Sequence, residues 1–126
     1  MKIKIGEANN LMLDYLVAKI DGIALSQAKF SFQIKTHGHL MAQPGFVYSP
    51  TSNWAQGGPI IERERIELNR GNDLYFPSGN ENGDYYEPLW IAGKLHGQTP
   101  LIAAMRCYVA SKLGDEVDVP DELLSH

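Results

Sequence analysis

The chain is poor in the residues that carry covalent and redox chemistry. Cys107 is its only cysteine, so no intramolecular disulfide can form. Set among alanines, that thiol reads as a small buried side chain, because a nucleophilic cysteine needs an exposed, electropositive setting. A reducing cytoplasm is the compartment this implies. His37 and His39 are spaced to share one face of a strand, but no further Cys, His or carboxylate pattern stands near them. The segment reads as a surface loop, and neither a metal nor a cofactor is expected. Positive charge is short as well: 11 Lys and Arg against 15 Asp and Glu leave a net charge of -4. That balance argues against nucleic acid as a partner. The opening Met-Lys-Ile-Lys-Ile alternates charge and bulk, with no long apolar run, so neither a signal peptide nor a membrane partner is expected. No repeat, heptad run or low-complexity tract occurs, which removes solenoids and coiled coils.

What is present fits one folded domain over residues 1–126, with 44% hydrophobic and 21% charged residues. Residues 2–5 alternate Lys and Ile, predicting a short strand with Ile3 and Ile5 inward. Asn9 or Asn10 caps a helix in which Leu13, Leu16, Val17 and Ile20 form the buried face, Asp14, Lys19 and Asp21 the solvent face, and Gly22 the end. Residues 29–35 are read as a strand carrying Phe30, Phe32 and Ile34, with a loop as the alternative. Residues 60–68 alternate sufficiently to predict a half-buried strand, with Glu62 and Glu64 on one face and Arg63 and Arg65 on the other. Across 69–87 the composition turns to Asn, Gly, Asp and Tyr, with Asn82-Gly83 as a tight-turn pair, predicting a protruding hairpin or flap. Residues 88–92 return as a strand.

The clearest element is a second principal helix: Thr99 caps it, Pro100 takes its first position and Gly114 follows it. Leu101, Ile102, Met105, Val109 and Leu113 make its large face, and Ala103, Ala104, Cys107, Ala110 and Ser111 its small one. A helix apolar all round is covered on both sides, here by a sheet and by a second subunit. Arg106, at the seam, needs a carboxylate, a carbonyl cluster or an anionic ligand. Residues 115–126 form an acidic tail without a site. The fold class is therefore α+β: a small twisted, mostly antiparallel sheet with two principal helices in a single domain.

The most suggestive stretch is Tyr-Ser-Pro-Thr-Ser-Asn-Trp-Ala-Gln-Gly-Gly-Pro at 48–59, read as a polar loop. Ser49, Thr51, Ser52, Asn53 and Gln56 crowd hydrogen-bonding groups around Trp54, while Pro50, Gly57, Gly58 and Pro59 punctuate the backbone. An indole either plugs a core or offers a flat face to a ligand. Taken with Gly57, Gly58, Glu62, Arg63 and Arg106, the set suits a nucleotide, which offers a base to stack, hydroxyls to bond and phosphates to neutralise. Glu62 and Glu64 could act as paired carboxylates, but the neighbouring arginines make a self-compensating charged strand the commoner explanation. Gly57-Gly58 lacks the spacing, lysine and following helix of a phosphate-binding loop. No catalytic residue is assigned, and binding without turnover is expected.

Residues 48–64, ending Gly-Gly-Pro-Ile-Ile-Glu-Arg-Glu, and 99–117, beginning Thr-Pro-Leu-Ile-Ala-Ala-Met-Arg-Cys-Tyr-Val, resemble the NinX family of small accessory proteins of lambdoid bacteriophages. Leu13-Asp14 and Val17-Ala18-Lys19 extend the resemblance over most of the chain except about 24–46 and 69–87. It implies the host cytoplasm and brings no assigned activity. By analogy with compact phage proteins that lack catalytic motifs, the expected function is sequestration of a nucleotide-type immune signal, an ADP-ribose derivative or cyclic nucleotide, by a homo-oligomer. The alternatives are a protein-binding modulator of a host enzyme, anchored by Tyr75, Phe76, Tyr85 and Tyr86, and a nucleotide-cleaving enzyme using Glu62 or Glu64.

Overall fold

A computed structural model describes residues 1–71 and 89–125. The chain begins with β1 (Lys2–Lys4), which pairs antiparallel with β9 (Glu116–Asp118) near the other end and sets Ile3 opposite Val117. A 3-10 turn at Ile5–Glu7 leads into α1 (Asn10–Asp21). Asn9 caps α1, its side-chain oxygen accepting from the Met12 N–H at 2.9 Å, and Gly22 closes it in the left-handed conformation. Leu13, Leu16 and Val17 are buried, as their spacing predicts.

Two small hairpins follow. β2 (Gln27–Ala28) pairs with β3 (Ser31–Phe32), and β4 (Leu40–Ala42) with β5 (Phe46–Tyr48). The strand expected across 29–35 is interrupted, because Lys29 and Phe30 form the β2–β3 turn with φ of 58° and 126°. Phe30 is 97% exposed, whereas Phe32 packs edge-on against Tyr15 of α1, with ring centroids 5.5 Å apart. His37 lies in a turn and His39 outside any strand.

The strand expected over 60–68 is instead the end of a helix, α2 (Trp54–Glu64), and the loop expected over 48–59 supplies its beginning. Gly57, Gly58 and Pro59 disfavour a helix on propensity alone, and Pro59 removes one backbone bond from its interior. Tertiary packing outweighs this. Gly57 and Ile60 are buried and Ile61 half-buried, a helical rather than an alternating spacing. Arg65, in the left-handed conformation, ends α2.

β6 (Asn69–Arg70), β7 (Trp90–Ala92) and β8 (Leu95–Gly97) form an antiparallel sheet. Beyond residue 71, the hairpin expected over 69–87 lies outside the described residues. α3 (Pro100–Leu113) has the predicted cap: Thr99 Oγ1 accepts from the Ile102 N–H at 3.1 Å. β7 and β8 pack on one side of α3, and α1 and α2 on others. Of its small face, Ala103 and Ala104 are buried within this chain, Cys107 and Ala110 are partly covered, and Ser111 is exposed. The acidic tail is structured too: Val117, Val119 and Leu123 are buried, and the Met1 amine donates to Asp118 Oδ1 at 2.9 Å.

The architecture is thus α+β, a single small domain in which, among the described residues, four small antiparallel sheets and three helices share one core. β8 and α3 approach each other closely. A Cβ placed on Gly97 would lie 2.4 Å from the Ala103 backbone nitrogen and 2.9 Å from its Cα. Gly97→Ala is expected to lower the unfolding free energy by about 1–3 kcal/mol in a denaturant titration. Gly6→Ala, whose Cβ meets nothing within 4 Å, should leave it within about 0.5 kcal/mol.

Candidate functional site

The hydrogen-bonding residues around Trp54 are engaged in building the turn that starts α2. Asn53 caps the helix, its side-chain oxygen accepting from the Ala55 N–H at 2.9 Å. Gln56 reaches back to β5, accepting from the Ser49 N–H at 2.6 Å and donating to the Val47 carbonyl at 2.8 Å. The Ser49 and Ser52 hydroxyls bond to each other. Gly57 serves packing: a Cβ there would lie 2.4 Å from the Pro50 carbonyl oxygen and 2.6 Å from Leu101 Cδ2. Gly57 therefore lets α2 and the Pro50 turn meet α3 closely and does not present its backbone to a ligand.

Beneath this turn lies Asp14. Expected on a solvent face, it is 1% exposed, and its Oδ1 accepts from the Thr51 N–H at 3.0 Å. The turn leading into α2 covers Asp14, and the loop reading of 48–59 left that cover unseen. Burial pushes the Asp14 carboxyl up to about 7, opposed by the Thr51 amide and by the Thr51 and Ser49 hydroxyls, which favour the charged form.

Asp21, one face-repeat further along α1, joins a second polar group. Arg63 Nη2 donates to the Tyr108 hydroxyl at 2.8 Å and to Asp21 at 3.3 Å, and the Tyr108 hydroxyl donates to Asp21 at 2.5 Å. Glu64 pairs with Arg63 at 2.9 Å and with Lys112 at 3.3 Å, and these partners hold its carboxyl below the usual range. Burial, then the Asp21 bond, pushes the Tyr108 phenol up to about 12. The pairing of Glu62 with Glu64 on one strand face does not occur: both are on a helix, Glu62 exposed and Glu64 tied to its cations. Cys107 is half-buried, and burial raises its pKa, the opposite of nucleophile activation. Among the described residues no three His, Cys, Asp or Glu side chains are grouped to hold a metal.

Trp54 stands apart. It is 56% exposed on the first turn of α2, its ring lying back over Gly58. Arg63, nine residues on, projects from about the opposite side of the helix. Arg106 is further away still. Leu101 marks the side of α3 that meets α2, and Arg106 lies about 140° round from it at 100° per residue. Its guanidinium finds carbonyls, donating to His96 at 2.8 Å and to Ala8 at 3.0 Å. The single pocket drawn from the sequence thus separates into a hydrogen-bonded turn and helix start (Ser49, Ser52, Asn53, Gln56, Gly57), an exposed indole over Gly58, an Arg63 network and an Arg106 held by the His96 and Ala8 carbonyls. Asp14, Asp21 and Tyr108 are the polar residues that sequence reasoning missed. Their i, i+7 spacing on α1 was visible, but not the partner it faces.

Asp14 makes stability depend on pH. Its folded-state pKa is above its unfolded one, so its contribution is present below about pH 4 and is lost as pH rises through about 7. Asp14→Asn keeps an oxygen to accept from Thr51. It is expected to remove that decline and to be more stable than wild type at pH 8 by about 1–4 kcal/mol, read from urea midpoints at pH 4 to 8.

Among the described residues no helix is long and apolar enough to cross a membrane. A comparison with curated proteins finds no match. The model of the family described as bacteriophage P22 NinX matches residues 4–112, from β1 to the last turn of α3. The match thus takes in both the turn that presents Trp54 and the helix it packs against, and the chain belongs to the NinX family.

Proposed function

We propose that this phage protein acts by binding without turnover, holding a nucleotide-type immune signal against the exposed face of Trp54 and so countering host antiviral defence. The observation that carries the reading is the half-exposed indole on a turn fixed by Asn53, Gln56, Pro50 and Asp14. A large aromatic surface left in water at a rigid position is suited to stacking, at little cost in ordering on binding.

The geometry revises which residues serve. Arg63 and Arg106 point elsewhere, and Arg65, at the left-handed C-cap of α2, lines a cleft with Cys107 and Tyr108, so the indole carries the reading without an arginine of α2. None of five clefts among the described residues includes Trp54. A stacked base therefore needs a second wall, and a second copy of the chain supplies it in this reading. The engaged Glu64 and the raised thiol of Cys107 favour binding over cleavage.

The test is to incubate the purified protein with lysate from cells whose NAD-consuming or cyclase defences are active, heat it, and identify the released molecule by mass spectrometry. An intact adenine-containing ligand is expected from wild type. Trp54→Ala is expected to retain at least about tenfold less, as loss of one stacking contact implies, with an unchanged melting curve. A chemically altered product, or full retention by Trp54→Ala, would overturn the reading.

A further inference from the structure

We infer that a second site, for a small phosphorylated anion, lies on the far side of α3 from α2, in the cleft between the β7–β8 hairpin, the N-terminal 3-10 turn and Arg106. The cleft holds about 460 Å³, within the range of small-molecule sites, and its walls include Lys94, His96, Gln98 and Arg106. No Asp or Glu is among its described lining residues, although the whole chain carries a net charge of -4.

Arg106 is the reason an anion belongs there. Its two hydrogen bonds go to carbonyls, which orient the guanidinium without neutralising it, and its Nε is buried without a hydrogen-bond partner. Burial lowers its pKa, the mark of a cation short of solvation. An incoming phosphoryl group would restore what the side chain lost on burial, and it suits a planar, multi-donor guanidinium. The start of α3 lies beside the cleft, Gln98 directly preceding the Thr99 cap, so the positive end of a 14-residue helix adds to the field.

The surroundings also limit the ligand. The adjoining cleft of about 600 Å³ shares Lys94 and Leu95 but carries Glu7, Asp115 and Glu116, which repel anions and confine the charge to the Arg106 side. Leu89 and Leu95 offer an apolar wall for an uncharged moiety. The site therefore fits a phosphate-bearing metabolite with at least two negative charges, and it uses nothing from the Trp54 face.

Titration calorimetry of the full chain with pyrophosphate and with ADP, at constant ionic strength, tests this. Saturable binding of either is expected, weakened at least about tenfold by Lys94→Glu and by Gln98→Glu, both at exposed positions, through like-charge repulsion. Trp54→Ala should bind pyrophosphate, which has no base to stack, as wild type does, which separates this site from the stacking face. Absence of binding at millimolar concentration, or wild-type affinity in both acidic variants, would overturn the assignment.

Discussion

The close approach of two elements to α3 is the constraint on which the rest depends. β8 meets it backbone to backbone at Gly97 and Ala103, and α2 meets it at Gly57 and Leu101. Interiors packed this densely do not accommodate an added methyl group by small adjustments. Small residues on α3 sit where the β7–β8 hairpin comes close: Gly97 approaches Ala103, and Gly93 approaches Cys107.

That packing brings the turn before α2 over Asp14 and lets Arg63 of α2 reach Asp21. Asp14, which in isolation belongs to a solvent-facing stripe, becomes the buried partner of Thr51, and Asp21 the half-buried partner of the Tyr108–Arg63 pair. Desolvating Asp14 costs free energy, and the amide it accepts offsets only part of it, as its raised pKa records. In exchange the turn before Trp54 is held from below by a carboxyl and from the side by Gln56. Function, in this view, resides in what that rigid turn leaves exposed and in the uncompensated Arg106 on the other side of the helix.

Parts of the structure were legible in the sequence because their causes are local. The Thr99 cap with Pro100, the Asn9 cap with Gly22, and the alternation of Ile3 and Ile5 each act within a few residues, and each appears as expected. Residues 48–68 were not legible. Two glycines and a proline lower helix propensity there, and charge alternation imitates a strand. What makes the segment helical is contact with Pro50, Leu101 and β5, none of which a local pattern reveals. The candidate site suffered in the same way: residue types that suit a nucleotide were identified, but several of them are committed to capping and bracing.

The sequence by itself determined the class of the molecule: a single small α+β domain without disulfides, with two well-capped helices and family membership carried by residues 4–112. Only the tertiary structure decided where each polar group points. Capping and periodicity are short-range and repeat along the chain, whereas burial of Asp14, exposure of Trp54 and the isolation of Arg106 depend on which surfaces meet across 37 to 98 residues of separation. Those meetings are set by the packing of whole elements, and no single stretch of the chain encodes them.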